Sequence, residues 1–547
     1  MSIPVTGSHA ASSHGTGTLA ADAVGSLVQS VDWIAIAPAA IPAAVALVVL
    51  VADLFLPKER KALLGWVTIA GLALAGLALG PLRAGHRKTF CLTTDAGDCS
   101  YAADHFTVVI QLLVLGGALL TALLSMHDME KYPAGEYWFL LLSSAAGAAL
   151  LPASRDLATL VVALEVTTLP AFALVGIKRG DRLSSEAALK FFLSSVAATA
   201  VTLLGVSFVY AATGTLHLAS IADGLGDVQP QLATLAKVGA VLTLVGFAFK
   251  LAAAPFHFWV PDTYVGAPLP IAAYLSVVGK AAGFSGLILI TVIAFEPYAD
   301  VWGPVVAVLA ALTMTVGNVA ALRQRAGYAH SAVRLLAWSS IGQAGYLLVP
   351  IAAAAYSDDP EHQIGTTVAY ALMYAAVNLG AFAVAALVAR TAPANRLTDY
   401  RGLYASRPLT ALALAFFLLC LAGLPPGVIG LFAKVAVFSS IVGTGPAWLA
   451  VVMAVNVVIA LVYYLRWTAL LFAKPEAGPA TDAGAAEGTA KVSGTVVGAV
   501  AGAVTVGVPA TRAPAPLTAA IALTAIAGIV LSGVPQLVLR YASGALL

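Results

Sequence analysis

In the run Phe249 to Pro270, FKLAAAPFHFWVPDTYVGAPLP, Lys250 is followed seven residues later by His257, with Pro255 between them. Both side chains can carry protons, the histidine because its imidazole titrates near neutrality. Pro255 lacks an N–H, so in a helix that reaches it the carbonyl of Leu251 loses its partner. The combination recurs in LAGLPPGVIGLFAK, where Pro425 and Pro426 orphan the carbonyls of Leu421 and Ala422 and Lys434 follows. Three more charges stand in apolar surroundings: Glu165 in LEVTTLPAFAL, Lys190 in EAALKFF, and Lys280 in LSVVGKAAGF. A row of buried amines with a carboxylate and a histidine suits the movement of protons or other cations. The structural alternatives are an ion pair for any one charge, a snorkelling end residue for Lys190, and a loop histidine bonded to backbone for His257.

Such charges matter only if their surroundings exclude water, and the composition provides that. Of 547 residues, 60% are hydrophobic and 10% charged, against about 25% charged in soluble domains. Fourteen apolar segments of ~20 residues run along the chain, each long enough to cross a ~30 Å hydrocarbon core as a helix. An ionisable side chain at that depth costs ~2.5 to 3.5 kcal/mol, so each needs a reason to be there. The expected fold is an all-α integral membrane protein. A polar outward tail covers 1–33, three helices 34–126, and one repeat of helices 4–8 covers 137–294. A second repeat, helices 9–13, covers 302–472; a low-complexity cytoplasmic loop spans 474–514, and helix 14 lies in 516–547. Helices 7 (232–254) and 12 (408–443) carry the proline breaks. They lie five segments apart and therefore run in opposite directions, as in an inverted repeat that builds ion sites at broken helices. Lys280 is expected deep in helix 8 (268–294), read as unbroken.

Lys58, Arg60, Lys61, Lys178, Arg179, Arg182, Arg323, Arg325, Arg390 and Arg396 all fall in loops of one side. The bias of Lys and Arg makes that side cytoplasmic and turns both termini outward. Cys91 and Cys99 share an outward loop, where either a disulfide or two free thiols fits, and Cys420 lies inside an apolar segment. His217 is expected to be solvated in another outward loop. A net charge of +2 gives no reason to expect nucleic-acid binding. No cysteine or histidine cluster has metal-site spacing, so neither a metal nor another cofactor is expected in this chain.

The stretches quoted above, together with VRLLAWSSIGQAGYLL from Val333, resemble the antiporter-like membrane subunits of respiratory complex I, the proton-pumping NADH-quinone oxidoreductase. ALKFFLSS, ATGTL and GAPLPIAAYLSVVGKAAGF are similar to its N-type subunits rather than to the L and M types. The resemblance implies a proton channel in a bacterial plasma membrane, with no redox chemistry of its own, driven by quinone reduction elsewhere. NADH, FMN, iron–sulfur clusters and quinone are then held by other subunits, and the partners are neighbouring membrane subunits and lipid. The charged row itself suggests a path that enters from the cytoplasm near Lys190 and His257, passes Lys250 and Lys280 with Glu165 as their switch, and leaves outward through Lys434. Two departures stand out: Gln343 replaces a frequent histidine, and the RAGYAHSAV stretch from Arg325 is longer than usual. The rival readings are a subunit of a multi-component sodium/proton antiporter and a non-conducting scaffold.

Overall fold

A computed structural model describes residues 31–92, 97–474 and 514–540. The expected tail over 1–33 and loop over 474–514 thus lie almost wholly outside the described residues. Helices α1 (Trp33–Phe55) and α2 (Ala62–Leu77) lead into a hairpin of β1 (Arg87–Cys91) and β2 (Cys99–Ala103). Then come α3 (His105–Ser125), α4 (Ala134–Leu150), α5 (Leu157–Val175), the long α6 (Arg182–Thr213) and a short α7 (Leu218–Gly226). The seventh crossing is α8 (Ala233–Leu251), resumed after a break as α9 (Val260–Gly266). The eighth is α10 (Leu269–Tyr274) and α11 (Lys280–Ile288), with π-helical turns over Leu275–Gly279 and Leu289–Ala294. The second half holds α12 (Ala299–Leu322), α13 (Ser331–Ala354), α14 (Pro360–Ala389), a single turn α15 (Leu403–Ser406) and α16 (Pro408–Ala422). It ends with α17 (Val428–Thr444), α18 (Ala447–Phe472), α19 (Ala515–Gly533) and the turn α20 (Gln536–Leu539).

Thirteen crossings among the described residues are long and apolar enough to span a membrane alone. α16 and α17 are each too short and share the remaining one, which resolves the over-long 408–443 segment. Several helices start at an aspartate whose carboxylate accepts from the first free N–H groups. Asp104 accepts from Thr107 N at 2.8 Å, Asp156 from Thr159 N at 2.7 Å and Asp181 from Leu183 N at 2.9 Å. These caps fix where the apolar helices begin.

α13 and the α10–α11 crossing form the centre: 94% and 89% of their apolar windows are enclosed, against 28% for α1 and α6. Polar side chains on the enclosed helices must therefore find protein partners. Helix 8, expected to be unbroken, is interrupted immediately before Lys280 by the π-helical turn, which shifts the hydrogen-bond ladder by one residue and re-aims the following side chains. The loop holding Cys91 and Cys99, expected to face outward, is an antiparallel hairpin that pairs the two residues in register, and their sulfurs are bonded.

α17 packs on the end of α16 at almost backbone contact. A Cβ added at Gly430 would collide with the Cys420 carbonyl, whereas one added at Gly443, further along α17, meets nothing within 4 Å. Overpacking a filled site costs ~1 to 3 kcal/mol. Gly430→Ala should lower the thermal stability of the purified protein by that amount and Gly443→Ala should not; equal melting curves would show that the close approach is not required.

Candidate functional site

Both broken crossings end in the same way. At the first, Ala252 takes a left-handed φ of 67°, Ala253 N–H bonds back to Ala248 O at 2.8 Å, and Pro255 follows. At the second, Gly423 has φ 84° and Leu424 N–H bonds back to Leu419 O at 2.9 Å. These bonds use the carbonyls one turn back and leave the last ones free. At membrane depth an unpaired carbonyl must find a donor inside the protein.

Lysines supply it. Lys280 Nζ donates to Leu251 O at 3.0 Å, and Lys434 Nζ donates to Leu421 O and Ala422 O, each at 2.8 Å. These are the three carbonyls that the proline positions orphan. The indole N–H of Trp259 donates to Phe249 O at 3.2 Å, and Ala254 N–H to Thr313 Oγ1 on α12 at 2.8 Å. The first break thus receives its lysine from the next crossing and the second from its own far half.

Lys250 Nζ donates to Thr168 Oγ1 on α5 at 2.7 Å and lies over the Phe191 ring, 5.6 Å from its centroid. Thr168 donates its own hydroxyl hydrogen bond to Leu164 O, so its oxygen is free to accept from the lysine. Glu165, one turn away on α5, is half-buried and accepts from Thr199 Oγ1 of α6 at 2.6 Å. In this conformation Glu165 and Lys250 are neighbours without being bonded. Lys250, Lys280 and Lys434 are 3%, 2% and 5% exposed, yet none is paired with a described carboxylate.

Lys190 differs from these three. Its side chain is 46% exposed and holds Glu186 at 2.7 Å and Asp262 at 2.8 Å, so its inclusion among the buried charges is corrected. It lies in the first turns of α6, where the long stem reaches the boundary. Asp262, on α9, also holds Arg334 of α13 at 3.2 Å. His257 is half-buried in the first break, its ring 5.7 Å from that of Trp338 on α13. His217, expected to be solvated, is half-buried just before α7, its backbone paired with that of Asp156 in a single antiparallel β-bridge.

Polar groups on α13 and α14 form two bonded sets between the breaks. Tyr374 OH donates to Ser276 O at 3.0 Å, beside the π-helical turn, and shares a 2.8 Å bond with Ser340. One turn along α13, Gln343 accepts from Tyr370 OH and donates to Tyr464 OH at 3.1 Å. Its amide also reaches Leu421 O at 3.4 Å, the carbonyl that Lys434 holds, and Lys434 Nζ lies 5.3 Å from the Tyr346 ring centroid. Sequence reasoning missed Thr168, Asp262, Arg334 and these tyrosines. Asp262 was visible inside the FHFWVPD run; the tyrosines carry no signal until α13 and α14 are known to be enclosed.

Residues 154–460 match the family described as NADH:quinone oxidoreductase/Mrp antiporter, transmembrane. The chain is 74% identical over 527 residues to NADH-quinone oxidoreductase subunit N 2 of Streptomyces griseus, covering 96% of both chains. It is similar to a chain of respiratory complex I from Thermus thermophilus, with 30% identity, a TM-score of 0.68 and coverage of 92% of this chain and 98% of that one. It also shares its fold with a chain of the Mrp complex from Dietzia, at 20% identity, a TM-score of 0.74 and coverage of 94% and 96%.

Leaving a buried carbonyl without a donor costs ~1 to 3 kcal/mol. Lys434→Ala should therefore destabilise the protein by at least that much, and Lys434→Gln, whose amide keeps two N–H groups, should recover part of the loss. Thermal unfolding of the purified variants measures this. Equal stability of Lys434→Ala and wild type would mean that the carbonyls are satisfied without the lysine.

Proposed function

We propose that this chain, which belongs to the membrane family of NADH:quinone oxidoreductase and Mrp antiporter subunits and is of its N type, carries protons across the membrane while other subunits of the oxidoreductase do the redox chemistry. The observation that carries this reading is the set of three enclosed lysines held by neutral oxygens alone. A structural ion pair would place a carboxylate against each amine. An amine on a carbonyl or hydroxyl can lose its proton without breaking a charge pair and regain it from water. In this reading no cofactor is held by the chain, and NADH, FMN, iron–sulfur clusters and quinone belong to its partners.

Protons are taken up on the side where Lys190, Asp262 and Arg334 form an ion network around the α8–α9 break, with His257 beside it. They pass to Lys250 and then Lys280, which Leu251 joins: it follows Lys250 in sequence and accepts from Lys280. Two bonded sets, Ser276 with Tyr374 and Ser340 and, one turn along α13, Gln343 with Leu421 O, lie on the way to Lys434, from which the proton leaves on the opposite side. The electrostatic switch is Glu165. Desolvation favours the neutral amine, and an approaching carboxylate restores the charged one. A rotation of the Lys250 stem from Thr168 to Glu165 spans one helical turn. A thousandfold change in proton affinity is worth about 4 kcal/mol, more than the ~2.3 kcal/mol for moving one charge through 100 mV.

Lys280 needs a gentler test than removal, because it also serves the Leu251 carbonyl. Lys280→Gln retains a donor but no titratable group, so the complex should assemble while NADH-driven proton movement in reconstituted vesicles is lost. Pumping at wild-type stoichiometry would end the proposed path. Sodium-dependent proton exchange without NADH would instead favour an antiporter, and normal pumping after neutralising every buried charge would favour a scaffold.

The switch has its own test. If Glu165 and Lys250 act as one unit, Glu165→Gln and Lys250→Ala should each impair pumping, and the double variant should be little worse than the worse single one. The coupling should amount to ~0.5 to 3 kcal/mol in a double-mutant cycle on pumping rate. Additive losses would show independent sites.

A further inference from the structure

On the side where the loop lysines and arginines concentrate, a cavity of about 210 Å³ opens where four connections meet. Its rim carries Asp128 and Lys131 from the α3–α4 loop, Lys178 from the α5–α6 loop, His330 from the α12–α13 loop and Arg390 from the end of α14. The floor is apolar, with Val265, Leu269 and Val333.

The charge balance of this cleft is one-sided. Lys131 is paired with Asp128 at 2.7 Å, which removes the only carboxylate lining it. Lys178 is half-buried, and the partner its ammonium holds is the backbone: it donates to Ala267 O, at the end of α9, at 2.9 Å. Among the described residues no carboxylate lies within ion-pair distance of Lys178 or Arg390. Burial holds the Lys178 ammonium below its usual range, against the pull of Asp181 and Asp128 and with the help of Lys131. Burial, together with Lys178 and Arg334, likewise holds the His330 imidazole low, opposed by Asp181. Both groups are thus in surroundings that an added anion would improve.

We propose that this cleft binds the phosphate of an anionic phospholipid headgroup, with Lys178, His330 and Arg390 around the phosphate and the glycerol end of the chains over the apolar floor. Basic pockets between membrane helices on the cytoplasmic side bind such headgroups. A free phosphate would use the rim but not the floor, and it is the alternative source of the same chemistry. A bound phosphate would also compete with Ala267 O for the Lys178 ammonium, and so would touch the joint between α9 and α10.

The test is native mass spectrometry of the full-length chain in detergent, titrated separately with phosphatidylglycerol, phosphatidylcholine and inorganic phosphate. Arg390→Gln and His330→Gln are the informative variants, because no described backbone group depends on either side chain. Lys58→Gln removes an exposed cation from another loop on the same side and serves as the control. One phosphatidylglycerol should bind in preference to phosphatidylcholine; Arg390→Gln should weaken it about fivefold, the effect expected of one cation near a headgroup, His330→Gln should weaken it by a smaller factor through the lost imidazole N–H, and Lys58→Gln should leave it unchanged. Equal weakening by all three variants, or by none, would overturn the site. Inorganic phosphate binding that the same two variants abolish, with phosphatidylglycerol unaffected, would assign the cleft to a soluble anion and overturn the lipid.

Discussion

A carbonyl inside a membrane cannot be left to water, and the rest of this structure follows from how two sets of them are satisfied. Pro255 and the Pro425–Pro426 pair follow the ends of α8 and α16, and the freed carbonyls of Leu251, Leu421 and Ala422 lie in an enclosed interior. The donors are ammonium groups, with Lys280 serving the first break and Lys434 the second. An ammonium brings three N–H groups and a charge. Meeting the backbone requirement therefore places a titratable cation in the enclosed interior, where it would otherwise be too costly to keep.

This coupling explains the close packing around the breaks. The lysines can reach the carbonyls only if the neighbouring helix passes almost in backbone contact, and glycines permit it. Gly283, one turn after Lys280, faces the backbone of Lys250 and Leu251, and Gly430, one turn before Lys434, faces Cys420. Lys250 obeys a different rule. Its amine holds a threonine hydroxyl one helical turn from a carboxylate. Two of the lysines are thus anchored at helix ends, and the third on a side-chain hydroxyl.

Much of this was legible from the chain alone because it depends on local chemistry. Proline removes a donor wherever it stands, so the two broken crossings and their three orphaned carbonyls could be named from position, and the apolar runs located the crossings. What could not be read depends on neighbours. Lys190 stands in an apolar run like the other lysines, but which face of α6 it occupies is decided by the packing of α8 and α9 against that helix, and it lies outside. The π-helical turn before Lys280 leaves no mark in the periodicity of a crossing that is apolar on all sides. Thr168 and the tyrosines of α13, α14 and α18 look like ordinary helix residues until enclosure forces their hydroxyls to find partners. The hairpin that joins Cys91 to Cys99 is five residues a side, too short to stand out from a polar loop.

Gln343 shows how the proposed conduction and the observed bonding constrain each other. Its carbonyl oxygen accepts from Tyr370, and its NH₂ group is shared between Tyr464 and the Leu421 carbonyl that Lys434 also holds. With both ends engaged, the amide is fixed in one orientation, and unlike a histidine it cannot take up a proton at one atom and release it at another. Under the proposed function a proton moving from the Lys280 side to Lys434 must therefore pass beside Gln343, through hydroxyls or water, while the amide holds Tyr370 and Tyr464 in place. The residue belongs to the wall of the path. Its contact with Leu421 O makes it a second donor to the broken helix, and this lets Lys434 lose its proton without leaving that carbonyl wholly unpaired.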